Sequence, residues 1–405
     1  MDFDSSHSTN LYSSKFLLLF VSTLAVSATS SIALVSTGWL VLEMTGSPLS
    51  LGIVWATRAV PRLLLGMLAG ALADKLDRRR LLLSILIVLV CMVFLFGTLI
   101  TIGLIQLWHI FLFIFLLGSL KTFDVTARQA LIVDVVGRDH MMRSIALNSV
   151  GLRMMGLIGG VVAGFLISIW GIASPFYVMV VCYIIALISL WMVRTERTSL
   201  QQESIKQSSL WTHYREGFTI IAQNRVVTIL VVLAILCEIF GFSYQVLLPL
   251  FARDILEVGV VGLGAFTSAQ SLGGLISTLA LTVWSRQQSK GRLMLVLYLL
   301  FGVALLLFAQ SSSYIFSLIA ICLTGAVAAV FDAMQHIMLQ LNVSEQQRGR
   351  AMGIWQLSIG FGPIGHILLG FTAATIGPTM ALTINGVLII VSFLVITNLT
   401  SFRKI

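Results

Sequence analysis

"GALADKLDRRRLLL", residues 70–83, sets six charges between Asp74 and Arg80 in a chain that is otherwise apolar over long stretches. Only 10% of the residues are charged and 58% are hydrophobic, with a mean hydropathy of +1.02, whereas soluble domains carry about a quarter charged residues. Apolar runs near the ~20 residues that cross a bilayer core flank the cluster on both sides. Charges placed there belong in water, in a tight loop between two membrane spans. The same reading along the chain gives twelve spans, at about 16–43, 50–73, 81–103, 107–130, 144–169, 174–193, 226–252, 259–285, 293–310, 314–340, 351–376 and 379–400. Short alternating strands are lacking, so helices are the only spanning structure the pattern supports. The expected fold class is an all-α polytopic membrane protein of twelve transmembrane helices. The opening MDFDSSHSTNLYSSK is polar and acidic rather than basic, so no signal-peptide cleavage is expected.

The loops predict the orientation. With the N-terminus inside, 19 of the 25 Lys and Arg fall in inner loops and tails, and Arg253 alone in an outer loop. This bias predicts cytoplasmic N- and C-termini in the cell (inner) membrane. It also accounts for the net charge of +9 without nucleic-acid binding. The four cysteines, Cys91, Cys182, Cys237 and Cys322, lie inside spans without CxxC spacing and read as small hydrophobes rather than disulfides or metal ligands.

The polar stretch RTERTSLQQESIKQSS opens the longest gap between spans and divides the chain into 1–194, a linker at 195–225, and 226–405. Within the linker Trp211, Tyr214, Phe218 and Ile221 recur at helical spacing, as in a helix lying on the membrane surface or packed under the bundle. The halves echo each other. Phe123-Asp124 in the fourth span returns as Phe331-Asp332 in the tenth, and Ser149-Val150-Gly151 in the fifth returns as Ser358-Ile359-Gly360 in the eleventh. Matching ranks and nearly equal offsets favour duplication into two six-helix bundles, the plan of many secondary transporters.

The stretch Gly70-x-x-x-Asp74-Lys75-x-x-Arg78-Arg79-Arg80 resembles the GxLaDrxGrr signature of the major facilitator superfamily, with Asp77 where that signature has glycine. Residues 123–153, with Ala127-Arg128-Gln129-Ala130 and Asn148-Ser149, are similar to its drug and siderophore exporter branch, which includes macrolide-efflux and enterobactin exporters. The resemblance implies the major facilitator fold. It implies a cytoplasmic gate of Gly70, Asp74, Lys75, Arg78 and Arg79, in which Asp74 caps the start of the eleventh helix and Lys75 and Arg78 pair with nearby carboxylates or helix ends. Two features depart from the superfamily's antiporters: HIFLFIFLL before Gly118 holds no arginine, and Gly-Pro occurs at Gly362-Pro363 in the eleventh span rather than in the fifth.

Charges inside spans are expensive, roughly 2.5–3.5 kcal/mol each at a helix centre, and so mark function. Glu238 lies ~20 Å along the seventh span at ~1.5 Å per residue. A lone carboxyl there is either a proton carrier or a paired structural group, and it heads the proton-coupling candidates with Asp124 and Asp332. Arg58 and Arg62 share a face in the second span, where they bind an anionic group or pair with Glu43; structural pairing is the favoured reading. Lys121 and Asp124 are expected to neutralise each other, and Arg153 to find a partner on another helix, such as Asp124. Asp332 and His336 stand one turn apart, for gating or pairing rather than metal binding, and His366 reads as a satisfied core histidine. Trp39, Tyr244, Gln245, Trp355, Gln356 and Asn385 are substrate-cavity candidates. The glycines at 66/70 and at 156/160/164 have the spacing of close helix crossings.

No GxxxxGK[ST] is present, so an ATP-driven pump is not expected, nor is an enzyme or a cofactor. The expected function is a monomeric, proton-coupled exporter of small amphipathic organic molecules by alternating access. Lipid flipping by the same fold and a non-transporting membrane sensor are the alternatives.

Overall fold

In the computed structural model residues 14–137, 141–193, 224–284, 290–344, 355 and 357–399 are described, with those at 67, 74, 141–143, 145, 146, 282–284 and 399 described by backbone alone. They form twelve spans: α1 (Ser14–Thr45), α2 (Pro48–Lys75), α3 (Arg78–Thr101), α4 (Leu107–Val136), α5 (Met141–Trp170), α6 (Ser174–Met192), α7 (Arg225–Ile255), α8 (Gly259–Trp284), α9 (Lys290–Ala309), α10 (Tyr314–Leu341), α11 (Leu357–Ile376) and α12 (Pro378–Leu399). An even number of crossings puts both chain ends on one face, the terminal face; the other is the distal face. The linker, its amphipathic stretch and the loop before α11 lie outside the described residues.

Local chemistry sets the helix ends. Ser47 accepts from the Ser50 amide ahead of Pro48, which starts α2. Asn224 caps α7 through Oδ1 and, through Nδ2, donates to the Asn342 carbonyl at the end of α10. Asp77, the departure from the resembled signature, accepts from the Arg80 amide at 2.9 Å and so caps α3. Replacing it by Ala is expected to cost about 1 kcal/mol, whereas Gly costs only a few tenths. Thermal unfolding of the two variants in detergent checks that order.

Polar residues in the apolar runs satisfy themselves. Thr23, Ser27, Ser36 and Thr37 of α1 donate to carbonyls one turn back, so these four hydroxyls are bonded within their own helix. Each half has an aromatic core. Phe96 and Phe113 stack at 3.9 Å with Phe176 edge-on in the first half, and Phe251, Phe266 and Phe308 cluster in the second. Large apolar side chains such as Leu64 and Trp191 point outward, as lipid-facing positions do.

The halves meet along α5–α8 and α2–α11. A Cβ on Gly160 would stand 2.7 Å from the Gly264 carbonyl, and one on Gly164 2.9 Å from that of Val260. Gly370 likewise faces the Pro48 carbonyl at 2.8 Å. Ser268 of α8 donates to the Leu157 carbonyl and accepts from the Val161 amide, bonding the halves directly. All of these contacts lie toward the distal ends. The pair at 66/70 behaves otherwise: a Cβ on either glycine meets nothing within 4 Å among the described residues. Among the described residues the close-crossing expectation is therefore not met at 66/70, while 156/160/164 do pack on α8. Gly160→Val is expected to cost about 1–3 kcal/mol of overpacking, with Gly66→Val near neutral, by the same unfolding assay.

Candidate functional site

The irregularity of α7 builds the centre of the site. Its regular part stops at Leu236, followed by a π turn at Cys237–Gly241 and a 3-10 stretch at Phe242–Leu247. Pro249 has no amide to offer the Gln245 carbonyl, and Gly241 has no room for a side chain beside Phe301. A π turn inserts an extra residue and re-aims its side chains, as is common at functional sites. Here it presses on α11, where a Cβ on Gly365 would lie 2.6 Å from the Ile239 Cα, and one on Gly362 3.2 Å from Glu238 Oε2. The Gly362-Pro363 pair thus seats the glutamate. Glu238 is half-buried, has no ion-pair partner among the described residues, and lies within electrostatic reach of Arg62 on α2 and Asp332 on α10.

Opposite it stands α2. Arg58 lies 5.7 Å over the Trp55 ring, and Trp55 packs at 5.7 Å against His366 of α11. Gly118 lets α4 approach: a Cβ there would stand 2.7 Å from the Arg58 carbonyl. That approach brings Lys121 beside Arg58, where it donates to Ser30 of α1. Arg62, one turn on, is exposed between the halves. The expected pairing of Arg58 and Arg62 with Glu43 does not occur, since Glu43 accepts from Trp39 Nε1 at 2.5 Å near the distal end of α1. Nor is His366 satisfied: its Nδ1 is buried without a hydrogen-bond partner among the described residues.

Two further pairings differ from expectation. Asp124 is held by Arg128, with Nη2 to Oδ1 at 2.7 Å and Nε to Oδ2 at 3.1 Å, while Arg128 Nη1 donates to Ser22 of α1. The bidentate fork outcompetes the lysine, and both side chains are nearly sealed, at 3% and 6% exposure. Asp124 therefore forms no ion pair with Lys121 or Arg153, though Lys121 lies within its electrostatic reach. The Arg153 guanidinium instead lies against Gly274 of α8, within electrostatic reach of Asp332 on α10. Asp332 is exposed, and His336 packs against Trp355 with ring centroids 3.8 Å apart and the planes tilted by 54°. Among the described residues no group of three or more His, Cys, Asp or Glu is placed to hold a metal.

Of the cavity candidates, Tyr244 is fully buried against Phe301, and Asn385 donates to the Phe240 carbonyl and to Ser243 Oγ, stitching α12 to the break in α7. Both are framework rather than lining. Gln245 and Trp355 are half-buried, and Gln356 lies outside the described residues. At the terminal face Arg78 forks onto Asp134 of α4, both oxygens at 2.7 Å, and Arg79 donates to the Trp191 carbonyl at the end of α6. Lys75 is exposed, and a Cβ on Gly70 would meet nothing within 4 Å among the described residues. The Asp74 side chain and the start of the eleventh helix, which it is expected to cap, lie outside the described residues.

Three participants escaped the sequence reading. The i,i+4 spacing of Asp124 and Arg128, and the i,i+3 spacing of Trp55 and Arg58, were both available signals. Asp134 gave none, because its partner is 56 positions away.

Two six-helix halves around a shared layer of charges define a membrane transporter of the major facilitator fold. Solved structures agree: the nucleoside transporter NupG superposes with a TM-score of 0.70 at 15% identity over 94% of this chain and 98% of that one. A bacterial homologue of the lysosomal transporter Spinster, inward-facing and unoccupied, gives 0.71 at 12% identity over 99% and 97%. The transmembrane secretion effector family model matches residues 5–403, and the chain belongs to that family. Its relatives include the staphyloferrin A transporter of Staphylococcus aureus (26% identical; 86% of this chain, 87% of that one) and the multidrug efflux pump Tap of Mycolicibacterium fortuitum (27%; 91% of each). The enterobactin exporter EntS of Escherichia coli O1:K1 is 26% identical over 84% of this chain and 80% of its own.

Proposed function

We propose that this chain is a monomeric, proton-coupled exporter of small amphipathic organic molecules, working by alternating access in the cell membrane with both termini in the cytoplasm. It needs no cofactor and catalyses no reaction. The observation that carries the reading is Glu238, a carboxyl on a π turn without an ion-pair partner among the described residues, seated by Gly362 and within electrostatic reach of Arg62 and Asp332 across the space between the halves. A carboxyl so placed is tolerable in a membrane when it takes up and gives back a proton as that space opens to one side and then the other. The glycine seam toward the distal face, where the halves pack most closely among the described residues, supports an opening on the terminal side from which cargo enters. The relatives that transport staphyloferrin A, export enterobactin or expel drugs support the exporter direction.

The test is a panel of dyes, macrolides and catechol siderophores given to an efflux-deficient host expressing the chain. At least one class is expected to accumulate less in cells with the protein, and to do so only while a proton gradient stands. Accumulation unchanged for every class, or lowered equally after the gradient is collapsed, contradicts the proposal.

A further inference from the structure

The charges facing the space between the halves do not balance. Among the described residues the inner parts of the spans hold Arg58, Arg62, Lys121, Arg128 and Arg153 against Asp124, Glu238 and Asp332. The Asp124–Arg128 pair closes on itself. That leaves four cations facing two carboxylates, and the surplus sits on the first half, where Arg58 lies within electrostatic reach of both Arg62 and Lys121. None of the three has a carboxylate within ion-pair distance among the described residues. Arg58 rests on the face of Trp55, Lys121 on the hydroxyl of Ser30, and Arg62 is exposed. Each such charge is costly in a bilayer, and like charges one turn apart add repulsion. Packing does not ask for them: Arg62 supports no core, and Gly118 brings α4 closer to Arg58, which tightens the cluster rather than relieving it.

We infer that this Arg58–Arg62–Lys121 face is the binding site for the cargo's head group, and that the cargo is an organic anion. The inference rests on the exporter reading and names its substrate class. A carboxylate or a similar planar oxyanion matches the guanidinium fork of Arg58 or Arg62 in two parallel hydrogen bonds. Trp55, between Arg58 and His366, offers an aromatic face to the apolar body next to that head, and the unpartnered His366 Nδ1 stands ready for one more polar contact. The anion would neutralise the surplus, and Glu238 and Asp332, which face the same Arg62, would compete with it from the other half.

The test uses three probes with one ring system: pyrenebutanoate, pyrenebutanol and pyrenebutylammonium. Binding is measured with purified full-length protein in phosphatidylcholine nanodiscs, and energised transport in proteoliposomes. Wild type is expected to bind the butanoate at least about tenfold more tightly than the other two, the scale of one hydrogen bond to a charged group. Arg58→Gln and Arg62→Gln are each expected to lose that preference, and Arg62→Lys, which keeps the charge without the fork, to retain only part of it. Arg62 is exposed, so its variants keep the test alive should Arg58→Gln fail to fold. Equal binding of the three probes by wild type, or an equal loss of all three in the arginine variants, overturns the inference. So does displacement of the butanoate by phosphatidylglycerol added to the bilayer, which would make the ligand a lipid head group instead of cargo. Energised transport of the ammonium probe without any preference for the butanoate would overturn this inference and leave the exporter reading standing. Arginine-dependent preference for the butanoate with no energised transport of any probe would uphold the site and overturn the exporter reading.

Discussion

Arg128→Ala is expected to cost about 3–5 kcal/mol of stability, the largest loss from any single substitution considered for this chain. The pair it breaks is almost sealed from solvent, and truncating the guanidinium leaves the Asp124 carboxylate with neither of its two hydrogen bonds and without its countercharge. Ser22 on α1 loses its donor in the same step, so the packing of α1 on α4 loosens too. Removing the pair together should be far milder. Asp124→Leu with Arg128→Met places apolar volume where two charges had to be desolvated, and such exchanges are often neutral or stabilising. Denaturant unfolding in detergent of wild type, single and double variants distinguishes the cases. A single variant that unfolds within about 1 kcal/mol of wild type would mean that the carboxylate is solvated or protonated, and the closed pair would be wrong.

The second large effect concerns Glu238. Glu238→Gln keeps the shape and a hydrogen-bonding end but can no longer exchange a proton. In proteoliposomes under an imposed pH gradient, net uphill transport is expected to fall to the level of protein-free vesicles. Exchange of cargo for cargo, which needs no net proton movement, should persist. Glu238→Asp should retain part of the coupled flux, since the carboxyl is kept and only its reach shortens. The groups facing this carboxyl are Arg62 from α2, Asp332 from α10, and His366 beside Gly362 on α11. Asp332→Asn is therefore the control that asks whether the second carboxyl shares the load. Equal gradient-driven flux in wild type and Glu238→Gln would remove Glu238 from the coupling role.

Most of the architecture was legible because a bilayer allows few solutions. A span must be long, apolar and helical, and eleven of the twelve expected spans agree with the observed helices to within about three residues at each resolved end. The exception is α4, which runs on to Val136 beyond the apolar run, because Asp134 near its end is held by Arg78 across the loop. That contact is a tertiary one and leaves no mark in local hydropathy. The break in α7 was legible in part, since Gly241 and Pro249 both weaken a helix, but which turn widens depends on the fit of Ile239 and Glu238 against the glycines of α11.

The site was less legible, for a physical reason. A charged residue in a span can be recognised from its neighbours in sequence, but its partner is chosen by geometry and by competition. Glu43 stood at plausible reach of Arg58 yet binds the indole one turn away on its own helix. Lys121 and Asp124 had suitable spacing, and the bidentate arginine one turn on displaced the lysine. Glycine spacing was ambiguous in the same way: 160 and 264 meet across the halves, whereas 66 and 70 meet no neighbour within 4 Å among the described residues.

The central claim is that the two halves alternate about this charged layer, and paired distance measurements test it most directly. In a variant with its four cysteines replaced, spin labels at Met44 and Glu257 report the distal separation of the halves, and labels at Leu72 and Leu341 the terminal one; Met44, Glu257, Leu72 and Leu341 are all exposed. On shifting between resting and cargo-loaded, proton-driven conditions, the distal distance should lengthen as the terminal distance shortens. Two distances that stay fixed, or that grow and shrink together, would contradict alternation and with it the account of Glu238.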